Sequence, residues 1–409
     1  MDVEASALPP SVQPYAGRIT DVDSHEQVPA QLWAETFGEA MRPFAEVKLA
    51  QPHANGNHPN VEGYAGDTIA LTRENVWTNK GCIAPGAVDV RRRLEVMDLM
   101  QIRRQLMFPT AAGIYGMLVY TAPEGSGMWR VFGDASRDMG RRMMAAGNEW
   151  MVAQARISDR VRPVANLYGE TVDELAANAR ALIGQGIRAL MISASLPPGG
   201  VSPADNALDP FYAMLAEAKV ALTMHVGGEQ MLFRSTVWTD AQAFDGFKVN
   251  EEMSGDPLRL STMHLAAQNF VSALVLGGVF ERHPELRVGV VEYGAHFIGP
   301  LAPMLDMWND MARRNEVLVA GQQVTELSMK PSDYIRRNVR VAPFDFEPVG
   351  DYIEKHGLSE VYCFASDYPH VEGGKAPIHR LAENLRAHGH GDAVFERFFV
   401  TNGEWLLPD

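Results

Sequence analysis

The chain has 409 residues, of which 46% are hydrophobic and 21% are charged, so it is long enough to bury a large apolar core. Its formal net charge of -15 argues against nucleic acid or an anionic membrane as a partner, because neither is attracted to an acidic surface. Cys82 and Cys363 are too few for a disulfide framework, no apolar run approaches a membrane span, and residues 1–15 lack the pattern of a secretion signal. We therefore expect a cytoplasmic protein.

Short apolar runs alternate along the chain with segments of helical periodicity. In chain order, the predicted strands are Ile19–Asp23, 103–110, 161–168, Ile187–Ser193, 220–225, Leu286–Glu292, Val339–Ala342 and Val361–Ala365. The predicted helices between and after them are Val88–Met100, Asp134–Ile157, Leu175–Gly184, Phe211–Glu217, Ser261–Phe280 and Ile378–His388. This alternation predicts an α/β fold, a (β/α)8 TIM barrel that occupies residues 1–409 as a single domain. A doubly wound open sheet is the alternative, but no Gly-x-Gly-x-x-Gly motif follows the first strand.

Two long stretches interrupt the alternation and are predicted to be insertions. Residues 45–86 are rich in Gly, Pro, His and Asn and show no clear period, and residues 226–260 separate the fifth strand from the next helix. Connections of this length are usually functional. We expect them to form a cap or lid that sets substrate specificity.

Acidic and histidine side chains alternate at the first predicted strand, in the segment ITDVDSH. Because residues two apart on a strand share a face, Asp21, Asp23 and His25 point the same way. Burying them unpaired is costly, and a divalent cation removes that cost because carboxylate and imidazole are both good ligands. Asp21 lies deeper in the barrel, so we predict Asp23 and His25 as the ligands.

Other polar side chains lie at the ends of later predicted strands. His225 ends the fifth strand, Glu292 ends the sixth, and Asp367 follows the eighth, where Pro369 stops the pairing. Asp367 alone could simply cap a turn, but the carboxyl ends of barrel strands form the catalytic face, where all these groups converge. The predicted metal ligands are Asp23, His25, His225, Glu292 and Asp367.

These motifs resemble the amidohydrolase superfamily, in the branch related to aminocarboxymuconate-semialdehyde decarboxylase. DVDSH is similar to the family's strand-one metal motif, MHVGG to its strand-five histidine, VVEYGAHFIGPLAPMLD to its strand-six segment and ASDYPHVEG to its strand-eight aspartate. The resemblance implies a metal-dependent barrel enzyme that is commonly a homodimer. The chain departs from the family at two positions: Asp23 replaces the first histidine of the usual His-x-His pair, and Glu292 stands where the decarboxylases have a catalytic histidine.

The ligand set predicts a metal-dependent hydrolase acting on a small, partly apolar organic substrate. The ion lowers the pKa of a bound water, and Asp367 takes its proton and returns it to the leaving group of an amide, ester or thioester. Glu292 either binds a second ion or acts as a second acid, and His296 is a further catalytic candidate. His370 and Glu372 are candidates for lining the substrate pocket. Such a set accepts zinc, manganese or iron, as one or two ions.

The alternative reaction is non-oxidative decarboxylation of an aromatic or unsaturated carboxylic acid. It releases carbon dioxide, whereas hydrolysis places solvent oxygen in the product; an extra carboxylate at the metal centre favours hydrolysis. A barrel that has lost catalysis and only binds a ligand is a third possibility, against which the complete ligand set argues. The run Arg91-Arg92-Arg93 is predicted to be a solvated helix face.

Overall fold

A curled, all-parallel sheet forms the centre of the protein. The computed structural model describes residues 7–50, 64–121, 127–227, 241–244, 257–315 and 325–408. Within them, seven strands follow one another in the order of the chain: β1 (Ile19–Asp21), β2 (Ile102–Met107), β3 (Val161–Asn166), β4 (Ala189–Met191), β5 (Ala221–His225), β6 (Arg287–Val291) and β7 (Val339–Val341). Every neighbouring pair is parallel. The α/β class is confirmed, and the sheet is consistent with a TIM barrel.

Helices connect the strands, as parallel pairing requires. In chain order they are α1 (Trp33–Phe37), α2 (Arg42–Leu49), α3 (Asn75–Thr78), α4 (Val90–Met100), α5 (Tyr115–Thr121), α6 (Ser136–Gln154), α7 (Val172–Gly184), α8 (Asp209–Glu217), α9 (Pro257–Thr262), α10 (His264–Leu276), α11 (Val279–Arg282), α12 (Ile298–Asn315), α13 (Pro331–Asn338), α14 (Val349–His356), α15 (Pro377–Ala387), α16 (Asp392–Glu396) and α17 (Asn402–Leu406). None of them is both long and apolar enough to cross a membrane, as far as the described ranges extend.

The predicted eighth strand is an irregular extended segment that bonds to both edges of the sheet. On one side, the Cys363 amide donates to the Val341 carbonyl at 3.0 Å. On the other side, the Val22 amide donates to the Phe364 carbonyl at 3.1 Å and the Asp367 amide donates to the Asp23 carbonyl at 2.9 Å. The segment therefore joins β7 to the continuation of β1, and it brings Asp367 beside Asp23.

Two buried apolar clusters lie on the two faces of the sheet. Leu106 and Met191 belong to one cluster, whereas their neighbours Met107 and Leu190 belong to the other. Successive side chains of a strand point to opposite faces, so this division follows from the alternation along β2 and β4. Because the strands are apolar on both faces, polar side chains are accommodated mainly where the strands end.

The predicted insertions are described only in part. Residues 51–63 of the first lie outside the described ranges, and its later part contains α3 and a short turn of helix at Gly81–Ile83. Most of the second, residues 228–240 and 245–256, also lies outside the described residues. The cap or lid therefore stays a prediction.

Candidate metal centre

Acidic and histidine side chains from four parts of the sheet meet at its carboxyl edge. Asp23 and His25 follow β1, His225 is the last residue of β5, Glu292 follows β6, and Asp367 follows the extended segment that joins β7 to β1. Their exposed fractions range from 0% for His25 to 6% for Asp367. The sequence-predicted ligands are thus gathered in one buried group.

The ligand atoms are spaced as a coordination shell requires. His25 Nε2 lies 3.2 Å from Asp23 Oδ1 and 3.4 Å from Asp367 Oδ1, and His225 Nε2 lies 2.9 Å from Glu292 Oε2 and 3.6 Å from Asp23 Oδ1. Ligands about 2.0–2.2 Å from an ion lie roughly 3–3.5 Å from one another. A divalent ion therefore fits among these side chains.

Several of these atoms are buried without a hydrogen-bond partner among the described residues. They are Asp23 Oδ1, His25 Nε2, His225 Nε2, Glu292 Oε2 and Asp367 Oδ2. An unsatisfied buried polar atom costs about 1–3 kcal/mol, so a cluster of them at one point needs an explanation. A cation at this point would satisfy all of them at once.

The other nitrogen of each histidine is held by the protein. His225 Nδ1 lies 2.8 Å from the Val226 carbonyl oxygen, which can only accept, so Nδ1 carries the proton and Nε2 offers a lone pair. His25 Nδ1 lies 2.9 Å from Thr110 Oγ1. Fixing a histidine through its second nitrogen is typical of metal-binding histidines.

A proton competes with a cation at this centre. Burial alone would lower the pKa of His225, but the carboxylates of Glu292 and Asp23 outweigh burial and raise the pKa well above its usual value. The same two histidines, His225 and His25, hold the pKa of Asp23 below its usual value although burial opposes them. The buried carboxylates are therefore stabilised by a nearby positive charge, which either a proton or a metal ion supplies.

Glu292 and Asp367 have pKa values displaced in opposite directions. Burial raises the pKa of Glu292, and the nearby charge of Asp367 raises it further. Burial would also raise the pKa of Asp367, but His370 and His25 outweigh it, so this pKa lies below its usual value. Of these two carboxyls, Glu292 therefore retains a proton more readily and Asp367 stays ionised.

The same two carboxylates occupy strained backbone positions. Glu292 has φ 59° and Asp367 has φ 50°, in the left-handed region that side chains other than glycine rarely adopt. Each such residue costs on the order of 1 kcal/mol or more and persists where the surrounding structure fixes it. Here the left-handed conformation changes the direction of the Glu292 and Asp367 side chains at the ends of their strands.

The remaining predicted site residues have different positions. His370 is 6% exposed, and its Nδ1 lies 3.1 Å from Asp367 Oδ1, so it belongs to a second metal-type group with His25, Glu292 and Asp367. Glu372 Oε1 lies 4.0 Å from His370 Nδ1. The side chain of His296 is 45% exposed and contacts His264 and Glu347 instead, so its catalytic role stays a prediction.

A small cavity that opens to solvent lies beside the metal-type ligands. Acidic side chains of Asp23, Glu292, Asp345, Asp367 and Glu372 line it, together with Phe344 and small residues. Asp345 is paired with Arg380, whose Nη1 lies 3.1 Å from Asp345 Oδ2. The negative charge of these acidic side chains further favours the binding of a cation here.

A hydrogen-bonded polar network lies directly behind the centre. The carboxylate of Asp21 accepts bonds from Gln105 Nε2 at 2.7 Å and from the Ser366 amide and hydroxyl at 2.9 and 2.5 Å. Burial raises the pKa of Asp21 to about 7, although these bonds act in the opposite direction. The network ties the residues before Asp23 to the residue before Asp367.

Arg93 extends this network, and it corrects one interpretation of the sequence. The prediction of a solvated arginine face is wrong for Arg93, which is 0% exposed, because it lies on the buried face of α4 together with Val90 and Met97. Its guanidinium donates to the His25 carbonyl at 2.6 Å, to Gln105 Oε1 at 3.2 Å and to the Gly86 carbonyl at 2.7 Å. Helical periodicity could have identified it, because Arg93 falls three residues after Val90 and four before Met97, which are buried on the same face of α4.

A curled parallel sheet with carboxylates and histidines gathered at its carboxyl edge defines the class of metal-dependent α/β barrel enzymes. The amidohydrolase family model matches residues 101–408, and the chain belongs to this family. His225, Glu292 and Asp367 lie inside the matched residues, whereas Asp23 and His25 precede them. The resemblance inferred from the sequence is confirmed.

Solved structures with this fold span nearly the whole chain. An amidohydrolase of Mycobacterium avium subsp. paratuberculosis K-10 is 20% identical with a TM-score of 0.65, covering 95% of this chain and 99% of that chain. The 5-carboxyvanillate decarboxylase of Sphingomonas paucimobilis is 16% identical with a TM-score of 0.55, covering 95% and 98%. A dihydroxybenzoic acid decarboxylase of Polaromonas sp. JS666, with bound manganese and 2-nitroresorcinol, is 15% identical with a TM-score of 0.55, covering 95% and 96%. No curated protein sequence matched significantly.

Proposed function

We propose that this chain is a metal-dependent enzyme that removes carbon dioxide, without oxidation, from a small aromatic or unsaturated carboxylic acid. The observation that carries the proposal is the buried group of metal-type ligands with the carboxyl of Glu292 within it, 2.9 Å from His225 Nε2; burial and the charge of Asp367 raise the pKa of Glu292. Decarboxylation needs a proton donor at the carbon that loses carbon dioxide, and a carboxyl that keeps its proton meets that need.

Asp23, His25, His225 and Asp367 are the residues that would hold the ion. A divalent ion bound there supplies positive charge for the substrate carboxylate and for the negative charge that develops as the carbon–carbon bond breaks. Two carboxylates and two imidazoles suit manganese, iron or zinc. The manganese bound in the structurally similar dihydroxybenzoic acid decarboxylase agrees with this range.

Glu292 is the proposed proton donor. As carbon dioxide leaves, the electron pair of the broken bond stays on the substrate carbon, which takes the proton of Glu292. Glu292 is then ionised and recovers a proton from solvent, so each turnover consumes one proton and converts the carboxylate to carbon dioxide and a C–H bond. Asp367 stays ionised, as its lowered pKa indicates, and keeps its place beside His25 and His370.

An aromatic pair at the cavity supports a planar substrate. Phe344 lines the cavity and stacks on Phe346, with ring centroids 5.2 Å apart and an interplanar angle of 5°. Phe346 is 68% exposed, so its ring is accessible from solvent. A flat unsaturated ring can extend this stack. The aromatic acids named for the two decarboxylases of similar fold agree with this substrate class by analogy.

Hydrolysis of an amide, ester or thioester is the second candidate, and one observation favours it. Asp367 is an ionised carboxylate within 3.4 Å of His25 Nε2, which is where a base for an attacking water would stand. In that reaction Asp367 accepts the proton of the water and Glu292 protonates the leaving group. The two reactions thus use the same residues and differ in their products.

The reaction products distinguish decarboxylation from hydrolysis. Protein loaded with Mn2+ is incubated with hydroxybenzoic acids labelled with 13C in the carboxyl group, and with ester and amide analogues in 18O water. Labelled carbon dioxide is expected from at least one acid, and 18O in the product without carbon dioxide would replace decarboxylation by hydrolysis. Glu292→Gln should lower kcat about 10²–10⁴-fold with the metal retained. The control Glu354→Gln changes a surface carboxylate, 62% exposed, and should keep the full kcat.

A further inference from the structure

Glu347 joins two loops at the carboxyl edge of the sheet, one after β6 and one after β7. It lies in the second loop and is 7% exposed. Its Oε1 accepts the Phe344 amide at 2.9 Å and the Ala295 amide at 3.0 Å. Its Oε2 lies 3.0 Å from the Ala295 nitrogen and accepts the Tyr352 hydroxyl at 3.2 Å. A single buried carboxylate therefore connects the two loops.

The loop after β6 carries Glu292, the proposed proton donor. Glu292 has φ 59° and Gly294 has φ 76°, so two left-handed residues bend the chain between β6 and Ala295. The Tyr293 hydroxyl donates to the His225 carbonyl at 3.1 Å, and the Ala295 amide donates to the bridging carboxylate. These bonds fix the bend on both sides of Gly294, and the bend sets the direction of the Glu292 side chain.

The loop after β7 carries the aromatic surface of the cavity. The Glu347 amide donates to the Phe344 carbonyl at 3.0 Å, and the Glu347 carboxylate accepts the Phe344 amide, so reciprocal bonds close a tight turn. Phe344 and Asp345, at the start of this turn, line the cavity, and Phe346 stacks on Phe344. The Glu347 side chain thus fixes the turn that presents the ring surface proposed for the substrate.

We propose that Glu347 is a positioning residue that sets the distance between the proton donor Glu292 and the aromatic surface of Phe344. This inference rests on the proposed function, because it gives each loop a task in that reaction. Proton transfer needs the donor within hydrogen-bond reach of the substrate carbon, and a displacement of about 1 Å can lower a rate about 100-fold. Without the carboxylate, the two loops lose their shared acceptor and can separate.

Three variants separate the acceptor from its charge. Glu347→Ala removes the acceptor, and Glu347→Gln keeps it, because the amide oxygen can accept both backbone amides while the NH2 group donates to the Tyr352 hydroxyl. Tyr352→Phe is the matched control, because it removes the one bond to Glu347 that comes from neither loop but from α14.

In Mn2+-loaded protein, Glu347→Ala should lower kcat about 10–100-fold and raise KM, because the donor and the ring surface both move. Glu347→Gln and Tyr352→Phe should stay close to the wild type. A fraction of unfolded protein would lower the apparent kcat alone, since KM does not depend on enzyme concentration. Calorimetric titration with Mn2+ should give the same number of ions bound in all variants, because the proposed ligands of the ion are unchanged.

Hydrogen exchange reports on the two loops without any substrate. Peptides that contain residues 293–296 and 343–347 should exchange faster in Glu347→Ala than in the wild type and Glu347→Gln, whereas peptides from β6 and β7 should keep their rates. Glu347→Leu, which retains bulk but also lacks the acceptor, replaces Glu347→Ala should that variant fail to fold.

Two results would overturn the inference and leave the proposed function intact. One is unchanged exchange, or unchanged kcat and KM, in Glu347→Ala. The other is a Glu347→Gln variant as impaired as Glu347→Ala, because the charge and not the shared acceptor would then be responsible. Wild-type protein that releases carbon dioxide from none of the acids would overturn the proposed function, and the inference with it.

Discussion

Two groups of buried polar side chains lie next to each other and differ in how their hydrogen bonds are met. The carboxylate of Asp21 receives bonds from Gln105 and Ser366, and Arg93 completes the network with three acceptors. Asp23, only two residues after Asp21, has an oxygen without a hydrogen-bond partner in the described part of the chain. Burial is similar for both, so the difference lies in pairing. A satisfied network stabilises the fold, whereas an unsatisfied one is arranged for a ligand.

The strongest test of this contrast is to take the ion away. Chelation of metal-loaded protein should abolish turnover, and Mn2+ should restore it. The melting temperature should also fall on chelation, because an ion present at 100 times its Kd stabilises the fold by about 2.7 kcal/mol. Differential scanning calorimetry and a carbon dioxide assay measure the two effects. His225→Asn, which lacks one ligand, serves as the control whose melting should respond weakly to Mn2+.

The next test compares the two aspartates in metal-free protein. Asp21→Asn should cost about 1–3 kcal/mol of unfolding free energy, because it turns an amide donor towards the donors of Gln105 and Ser366 and leaves buried donors without an acceptor. Asp23→Asn should cost less, about 1 kcal/mol, because His225 keeps Glu292 as a carboxylate partner and can release its proton when the charge of Asp23 is lost.

Urea unfolding of both variants, monitored by circular dichroism after treatment with chelator, gives the two values. The reverse order, with Asp23→Asn the more damaging, would show that the metal-type group also carries the stability of the fold. The contrast between the two groups would then be lost.

The smallest expected effect is the proton released when metal binds. The pKa of His225 is raised in the metal-free protein, so below that pKa the ion must displace a proton, and above it none is released. Metal affinity should therefore fall about tenfold per pH unit as the pH drops below this pKa, if one proton is displaced. The pKa of His264 is lowered to about 4 by burial and by His296, so His264 contributes no proton near neutral pH.

Calorimetric titration with Mn2+ in two buffers of different ionisation enthalpy measures the number of protons. A titration without buffer dependence from pH 6 upwards would contradict the role given to His225. His283→Asn, which removes a histidine paired with Asp209, is the matched control and should leave the proton count unchanged.

The sequence predicts the fold and the ligand-bearing strand ends because both follow from local patterns. Alternation places Asp23 and His25 on one face, and apolar runs that stop at His225 and Glu292 mark the carboxyl edge of a parallel sheet. The sequence predicts where the eighth extended segment lies, but it does not predict that this segment is irregular. Its irregularity depends on bonds from residues more than 300 positions away in sequence, and no local pattern records these.

The residues that sequence analysis missed act through tertiary contacts. The guanidinium of Arg93 is buried because Gln105 and the His25 carbonyl accept its hydrogen bonds. The hydroxyl of Thr110 lies within hydrogen-bond distance of His25 and His370 only because the fold brings them together. His370, predicted as a pocket residue, lies beside the metal-type ligands because the fold stacks its ring on His25, and its role stays a prediction. The expected homodimer and the cytoplasmic location stay predictions.

The extended segment that joins β7 to β1 also has a consequence for how the protein folds. It places ligands from the beginning and the end of the chain around one point, and Asp21 and Ser366, which bond there, are separated by 345 positions. An ion bound at that point is a crosslink across almost the entire polypeptide, and closing so long a loop costs entropy that a bound cation offsets. We therefore expect the centre to assemble only after the two ends of the chain have paired, and a bound ion would hold that pairing in place.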